Sequence, residues 1–154
     1  MATSVGIVMG SDSDMQVMQK AGPVLDRFEV SYEIEVMSAH RNPRRVAEYA
    51  SSAADRGLKV IIAGAGLAAH LPGVVAAHTP LPVIGVPLFQ EALAGADALY
   101  SCVQMPPGVP VATVGIGNSK NAAVLAAQII ATGDDKLAAR LRDYKEELAQ
   151  GLKL

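Results

Sequence analysis

VGIVM, residues 5–9, runs directly into GSDSD, residues 10–14. The first five residues are apolar or glycine, with β-branched Val5, Ile7 and Val8. They do not alternate with polar residues, which predicts a parallel strand buried on both faces. Gly10 ends the strand. SDSD then offers N-cap side chains to MQVMQKAGPVLDRF, residues 15–28, where Val17, Met18, Ala21, Val24, Leu25 and Phe28 follow helical spacing. Pro23 falls inside that helix, where it should kink it or leave one carbonyl unpaired.

The same unit recurs along the chain. Val30, Tyr32, Ile34 and Val36 alternate as a second strand; SAHRNP, residues 38–43, follows, and a helix begins with Asn42 as N-cap, Pro43 in its first turn and Gly57 as C-cap. KVIIAG (59–64) reads as a third strand, GAGLAAHLPG (64–73) as a glycine-rich loop and PGVVAAHT (72–79) as a short helix. PVIGVP (82–87) is a fourth strand, ALAGADALYSCV (92–103) a helix, VPVATVGI (109–116) a fifth strand and NAAVLAAQIIAT (121–132) a very apolar helix. Strands alternating with helices imply a parallel sheet wrapped by helices, and right-handed crossovers put every strand-to-helix loop on one edge. Ligands of open α/β sheets bind along that edge. DDKLAARLRDYKEELAQGLKL (134–154) is a charged helical tail with Leu137, Leu141, Tyr144 and Leu148 on one stripe, which must dock on its own domain or on a neighbour.

With 154 residues, one domain with a single well-buried core is expected. Hydrophobic residues make up 51% against 18% charged, which points to helix faces covered by other subunits. A net charge of −2 leaves no excess of positive charge for a nucleic-acid backbone, and only Arg41, Arg44 and Arg45 cluster. The single cysteine, Cys102, allows no intrachain disulfide, and MATSVGIVMG lacks the pattern of a signal peptide, so the cytoplasm is the expected compartment. The longest apolar run, residues 60–77, is broken by glycines, His70 and Pro72 and makes a poor membrane span.

Three loops share the ligand-binding edge. In GSDSD, backbone N–H groups with the hydroxyls of Ser11 and Ser13 suit a phosphate, and Asp12 or Asp14 suits sugar hydroxyls; a plain helix cap is the alternative. Neither GxxxxGK[ST] nor a GxGxxG after the first strand occurs, which disfavours a P-loop NTPase or a standard dinucleotide fold. In SAHRNP, Arg41 offers bidentate pairing to phosphate and His40 a side chain that exchanges protons near neutral pH; the alternative is a turn cap beside a solvated charge. GAGLAAHLPG lets backbone amides approach a flat or anionic ligand and adds His70, while His78 is expected on the opposite edge. No HxH, HExxH or CxxC occurs, so no metal site is expected; Cys102 reads as a small core residue, and the absence of GxSxG argues against a serine hydrolase.

GSDSD, SAHRNP, AGAGLAAHLPG and GVP after successive strands, followed by VQMPPGVPVAT and NAAVLAAQI, form an ordered set over about residues 5–132. That set resembles the family of 5-(carboxyamino)imidazole ribonucleotide mutases of purine biosynthesis. The resemblance implies a flavodoxin-like three-layer α/β/α sandwich over residues 1–132 with a central parallel sheet. It also implies a C-terminal helical tail over 133–154 that packs on a neighbouring subunit, and a homo-octamer with shared active sites. The implied reaction moves a carboxylate from the exocyclic nitrogen of the imidazole ribonucleotide to ring carbon C4, without metal, ATP, biotin or other cofactor. His40 matches the catalytic histidine. Ser11 and Arg41 match phosphate contacts, Ser13 and Asp14 the phosphate and ribose side, and Ser38, Gly66, Ala68 and His70 the region of base and carboxylate; Gly10 permits close approach of the backbone.

Two segments depart from the usual bacterial mutase. GIGNSKNAA is shorter than its counterpart, and GADALYS is reminiscent of the related carboxylase class, which takes free CO2 onto aminoimidazole ribonucleotide. That class carries lysine after the histidine, whereas here the order is AHR, which favours the mutase. A non-catalytic nucleotide-binding module of flavodoxin-like type is the more distant alternative, and a flavin carrier has few rings to stack with, since the chain has two Phe, four Tyr and no Trp.

Overall fold

The computed structural model describes residues 3–154; Met1 and Ala2, the first two residues of the span assigned to the catalytic domain, lie outside it. Five strands, β1 (Val5–Met9), β2 (Tyr32–Val36), β3 (Val60–Ala65), β4 (Val83–Pro87) and β5 (Ala112–Thr113), form one parallel sheet in the order β2-β1-β3-β4-β5. This is the flavodoxin-like doubly wound order, with its switch point between β1 and β3. β1 is buried along its whole length, as an unalternating apolar run requires. Its residues feed two cores: Val5, Ile7 and Met9 enter one with Ile62, Ile84 and Val86, and Val8 enters the other with Ile61, Ala63 and Val83.

The first core lies under α1 (Met15–Met18), α2 (Ala21–Arg27), α6 (Ser119–Ala131) and α7 (Asp135–Ala149). The second lies under α3 (Pro43–Ser52), α4 (Leu71–His78) and α5 (Ala96–Val103). Edge strand β2 shows the expected alternation. Tyr32, Ile34 and Val36 pack on the first core, while Glu33 accepts from Tyr49 Oη at 2.7 Å and pairs with Arg56 at 2.9 Å, and Glu35 pairs with Arg45 at 2.7 Å.

Several expected elements are shorter than their sequence patterns. Pro23 breaks the expected helix into α1 and α2, and the capping segment before it winds as a 3₁₀ turn at Asp12–Asp14. Proline has no N–H for the Gln19 carbonyl, which accepts from Gly22 N at 3.1 Å instead. The fifth strand shrinks to two residues because Pro110 has no ladder donor and Gly117, at φ 70°, turns the chain away. The helix expected over 92–103 starts only at Ala96, after a 3₁₀ turn at Glu91–Leu93 and a left-handed pair at Ala94 and Gly95. A Cβ on Gly95 would sit 2.8 Å from Ile116 Cγ2, so both the positive φ of 85° and this close approach favour glycine.

The tail stripe docks on its own domain. Leu137, Leu141 and Tyr144 are buried in the first core, Tyr144 stands edge-on to Phe28 at 5.2 Å, and Arg27–Glu147 and Arg140–Glu29 ion pairs flank the contact. The apolar stripe, which the sequence left open to its own domain or to a neighbour, is buried within the chain. Leu141→Ala is expected to destabilise the single chain by about 2–5 kcal/mol, the usual cost of such a truncation in a core, as measured by denaturant unfolding. A change below about 0.5 kcal/mol, the scale of an ordinary surface substitution, would show that the stripe does not hold the tail.

Candidate active site

The carboxyl ends of β1, β2 and β3 open into a cavity of about 450 Å3. All ten residues that the family resemblance assigns to the site line it: Gly10, Ser11, Ser13 and Asp14 after β1, Ser38, His40 and Arg41 after β2, and Gly66, Ala68 and His70 after β3. Asp12 lines only a smaller neighbouring recess of about 240 Å3, with Asn42 and Arg45. His78 ends α4 on the opposite edge. Cys102 is buried within α5, and burial pushes its thiol up to about 11.

Each loop is shaped locally before it meets the others. Ser11 is extended at φ −150°, and its Oγ accepts from Ser13 N at 3.4 Å and from Ser13 Oγ at 3.0 Å. This gathers two hydroxyls over the first turn. Asn42 Oδ1 accepts from Arg45 N at 3.3 Å, so α3 starts where the sequence placed it and fixes the direction of residues 38–41. Burial raises the Asp14 carboxyl above its usual range, and hydrogen bonding to Ser11 and the Arg41 charge pull it partly back.

Arg41 clips two loops together. Its backbone N and its Nε both donate to Ser38 Oγ, at 3.1 and 3.2 Å, and Nη2 donates to the Gly10 carbonyl at 2.9 Å. The guanidinium is thereby held beside the Ser11 and Ser13 hydroxyls with N–H groups to spare, an arrangement suited to a phosphate.

His40 connects the second loop to the third. Its Nε2 lies 2.7 Å from His70 Nδ1, with the rings edge-on at 85° and 4.8 Å between centroids. One of those nitrogens donates and the other accepts. Two imidazolium rings would turn N–H against N–H, so the contact requires a lone pair on one facing atom. The pair can thus hold and pass a proton while keeping both rings in place. No group of three or more His, Cys, Asp or Glu side chains able to hold a metal ion occurs among the described residues.

Gln90, which the motifs did not single out, also lines the cavity. It follows β4 by three residues, and the rule that ligands sit at the carboxyl ends of such strands was the available signal. Leu67, at φ 56°, is 57% exposed at the cavity mouth.

The sequence model described as AIR carboxylase matches residues 4–151. A protein of Pyrococcus abyssi named N5-carboxyaminoimidazole ribonucleotide mutase is 58% identical over 144 residues, covering 94% of this chain and 83% of the relative. One of the same name from Thermotoga maritima is 56% identical, covering 94% and 84%. The phosphoribosylaminoimidazole carboxylase of Schizosaccharomyces pombe is 57% identical over 146 residues, 95% of this chain but 26% of that longer protein. Among solved structures, a PurE2 variant of Treponema denticola superposes with a TM-score of 0.88 at 34% identity, covering 97% and 93%. PurE of the same organism gives 0.86 at 36%, covering 95% and 91%. On a match spanning residues 4–151, with relatives well over half identical across nearly the whole length, this chain belongs to the AIR carboxylase family.

Proposed function

We propose that this protein is an N5-carboxyaminoimidazole ribonucleotide mutase, converting its substrate to 4-carboxy-5-aminoimidazole ribonucleotide. The observation that carries the reading is the hydrogen-bonded His40–His70 pair set beside the Ser11, Ser13 and Arg41 cluster in one cavity. The mutase-named relatives support it through their identity and coverage. The direct carboxylase is the second reading, favoured by the family's description and by the fungal relative's name.

In the proposed course, the phosphate lies against Ser11, Ser13 and Arg41, and the ribose against Asp14. The imidazole base then falls beside Ser38, His40, Gly66, Ala68 and His70. His40 gives a proton to the exocyclic nitrogen as its bond to the carboxylate carbon breaks, releasing CO2 and leaving aminoimidazole ribonucleotide. The nucleophilic C4 attacks that CO2 before it escapes, an encounter that confinement makes local rather than bimolecular. The C4 proton returns to His40, so carbon, charge and protonation state balance over the cycle. His70 holds the His40 ring through the Nε2–Nδ1 contact. No metal or organic cofactor enters this scheme.

The same reading includes a homo-octamer with shared active sites, supported by exposed Leu67, Phe89, Leu93 and Tyr100. It also includes a cytoplasmic location. No helix among the described residues is long and apolar enough to cross a membrane.

At low bicarbonate, purified protein should convert the N-carboxylated ribonucleotide, and turnover confined to aminoimidazole ribonucleotide plus CO2 would establish the carboxylase instead. His40→Asn should abolish conversion and keep ribonucleotide binding, read by calorimetry; substantial turnover would remove the proton-transfer role.

Asp14 yields a pH prediction. Burial raises its folded pKa above 3.8, so in the window just above that value the folded chain binds more protons than the unfolded chain. Stability therefore falls as pH rises through the window, and above it the charged carboxylate remains a fixed cost. Asp14→Asn should raise the melting temperature at pH 7, with the gain shrinking as pH falls toward 3.8, while ribonucleotide binding weakens. A melting temperature that is unchanged or lowered at pH 7 would contradict the burial cost.

A further inference from the structure

We propose that Gln90 is a substrate-contacting residue that sets specificity for the carboxylated ligand, its side-chain amide hydrogen-bonding the carboxylate that the reaction moves. This rests on the mutase reading above.

Gln90 is the one residue of the loop after β4 that lines the cavity. It is extended, at φ −137° and ψ 145°, and stands where its side chain could cap the 3₁₀ turn Glu91–Leu93, yet it makes no cap bond. Instead the side chain lies across Gly66. A Cβ on Gly66 would sit 3.0 Å from Gln90 Cγ and 3.2 Å from Nε2, closer than nearly all real Cβ contacts. Gly66 has no positive φ to explain its lack of a side chain, so room for Gln90 is a sufficient cause. The amide of Gln90 makes no hydrogen bond to other described residues, and its donors and acceptor are free for a ligand.

Position in the sheet says which part of the ligand it meets. Arg41 and the serines lie over β2 and β1, the histidine pair bridges the β2 and β3 loops, and Gln90 comes from β4, beyond β3. Two strand spacings, roughly 10 Å, separate β4 from β1. A ribonucleotide anchored at Ser11, Ser13 and Arg41 with its base beside the histidine pair and Gly66 has Gln90, lying across Gly66, at the base end of the same cavity. A neutral amide donor suits the chemistry. It orients a carboxylate without pinning the negative charge as lysine or arginine would, and charge must leave that carbon when CO2 forms.

The test compares the wild type with Gln90→Met, which keeps length and packing over Gly66 without the amide, and Gln90→Glu, which keeps shape and adds like charge. Binding of 4-carboxy-5-aminoimidazole ribonucleotide and of 5-aminoimidazole ribonucleotide is measured by calorimetry, with forward kcat and KM from the same preparations. Q90M should weaken the carboxylated ligand roughly tenfold or more and the uncarboxylated one less than about twofold, with Q90E weaker still for the carboxylated ligand. Equal losses for both ligands, or none, in an active preparation would overturn this role alone. A wild type that converts neither substrate would overturn the functional reading and this role with it.

Discussion

β1 is hydrogen-bonded along both edges by parallel strands, with Ile7 set opposite Ile34 of β2 on one side and Ile62 of β3 on the other. A parallel neighbour can be reached only by carrying the chain back over a face of the sheet. With right-handed crossovers, the connection to β2 runs over one face through α1 and α2, and the connection from β2 to β3 crosses the other through α3. The loops leaving β1 and β3 therefore diverge, and the crevice between them is where the cavity lies. Register holds this in place. Sliding β1 by one residue would exchange Val5, Ile7 and Met9 with Gly6 and Val8 between two filled cores.

Within that crevice, residues 38–42 act as the hub. Ser38 takes two hydrogen bonds from Arg41, Arg41 reaches the Gly10 carbonyl, His40 reaches His70, and Asn42 starts α3. The second loop is thus tied to the first and to the third by side chains that are also the reactive ones. Preorganisation of this kind lowers the cost of ordering when a ligand arrives. It also ties the arginine, a permanent cation, to the first loop and the imidazole to the third, so anchoring and proton transfer do not compete for one group.

Most of the sheet was legible because burial on both faces leaves an unmistakable run, as in VGIVM and VIIAGA, and because caps such as Asn42 and Ser11 act within three residues of themselves. Local rules failed where the cause was a missing donor or a distant partner. The break before Pro23 was foreseen as a kink, but its place was set by which carbonyl lost its N–H. The shortness of β5 depended on Pro110 and on pairing with Gly85, neither of which periodicity weighs. The tail's stripe was visible, but the surface it covers, Phe28 and the outer side of α6, is more than a hundred residues away or belongs to another helix. Gln90 escaped for the same reason. The glycine that seats it lies on a different strand's loop, and nothing in LFQEAL marks a residue whose partner is a missing side chain.

The proposed chemistry places an unusual demand on the cavity walls. CO2 carries no net charge and its oxygens are weak acceptors, so Arg41 and the serines hold it far less firmly than the carboxylate it came from, and its retention falls to enclosure. In the single chain the mouth is open, Leu67 lines it 57% exposed, and Phe89 and Leu93, at 59% and 60%, lie on either side of Gln90 in the chain. Apolar side chains at a water-facing rim are costly to leave uncovered, and they are the right lining for a lid against a neutral gas. In the proposed octamer a second copy would bury these residues and close the mouth in one step. Assembly would then belong to catalysis itself, because the fraction of CO2 recaptured at C4 depends on how completely that rim is covered during the interval between the two bond changes.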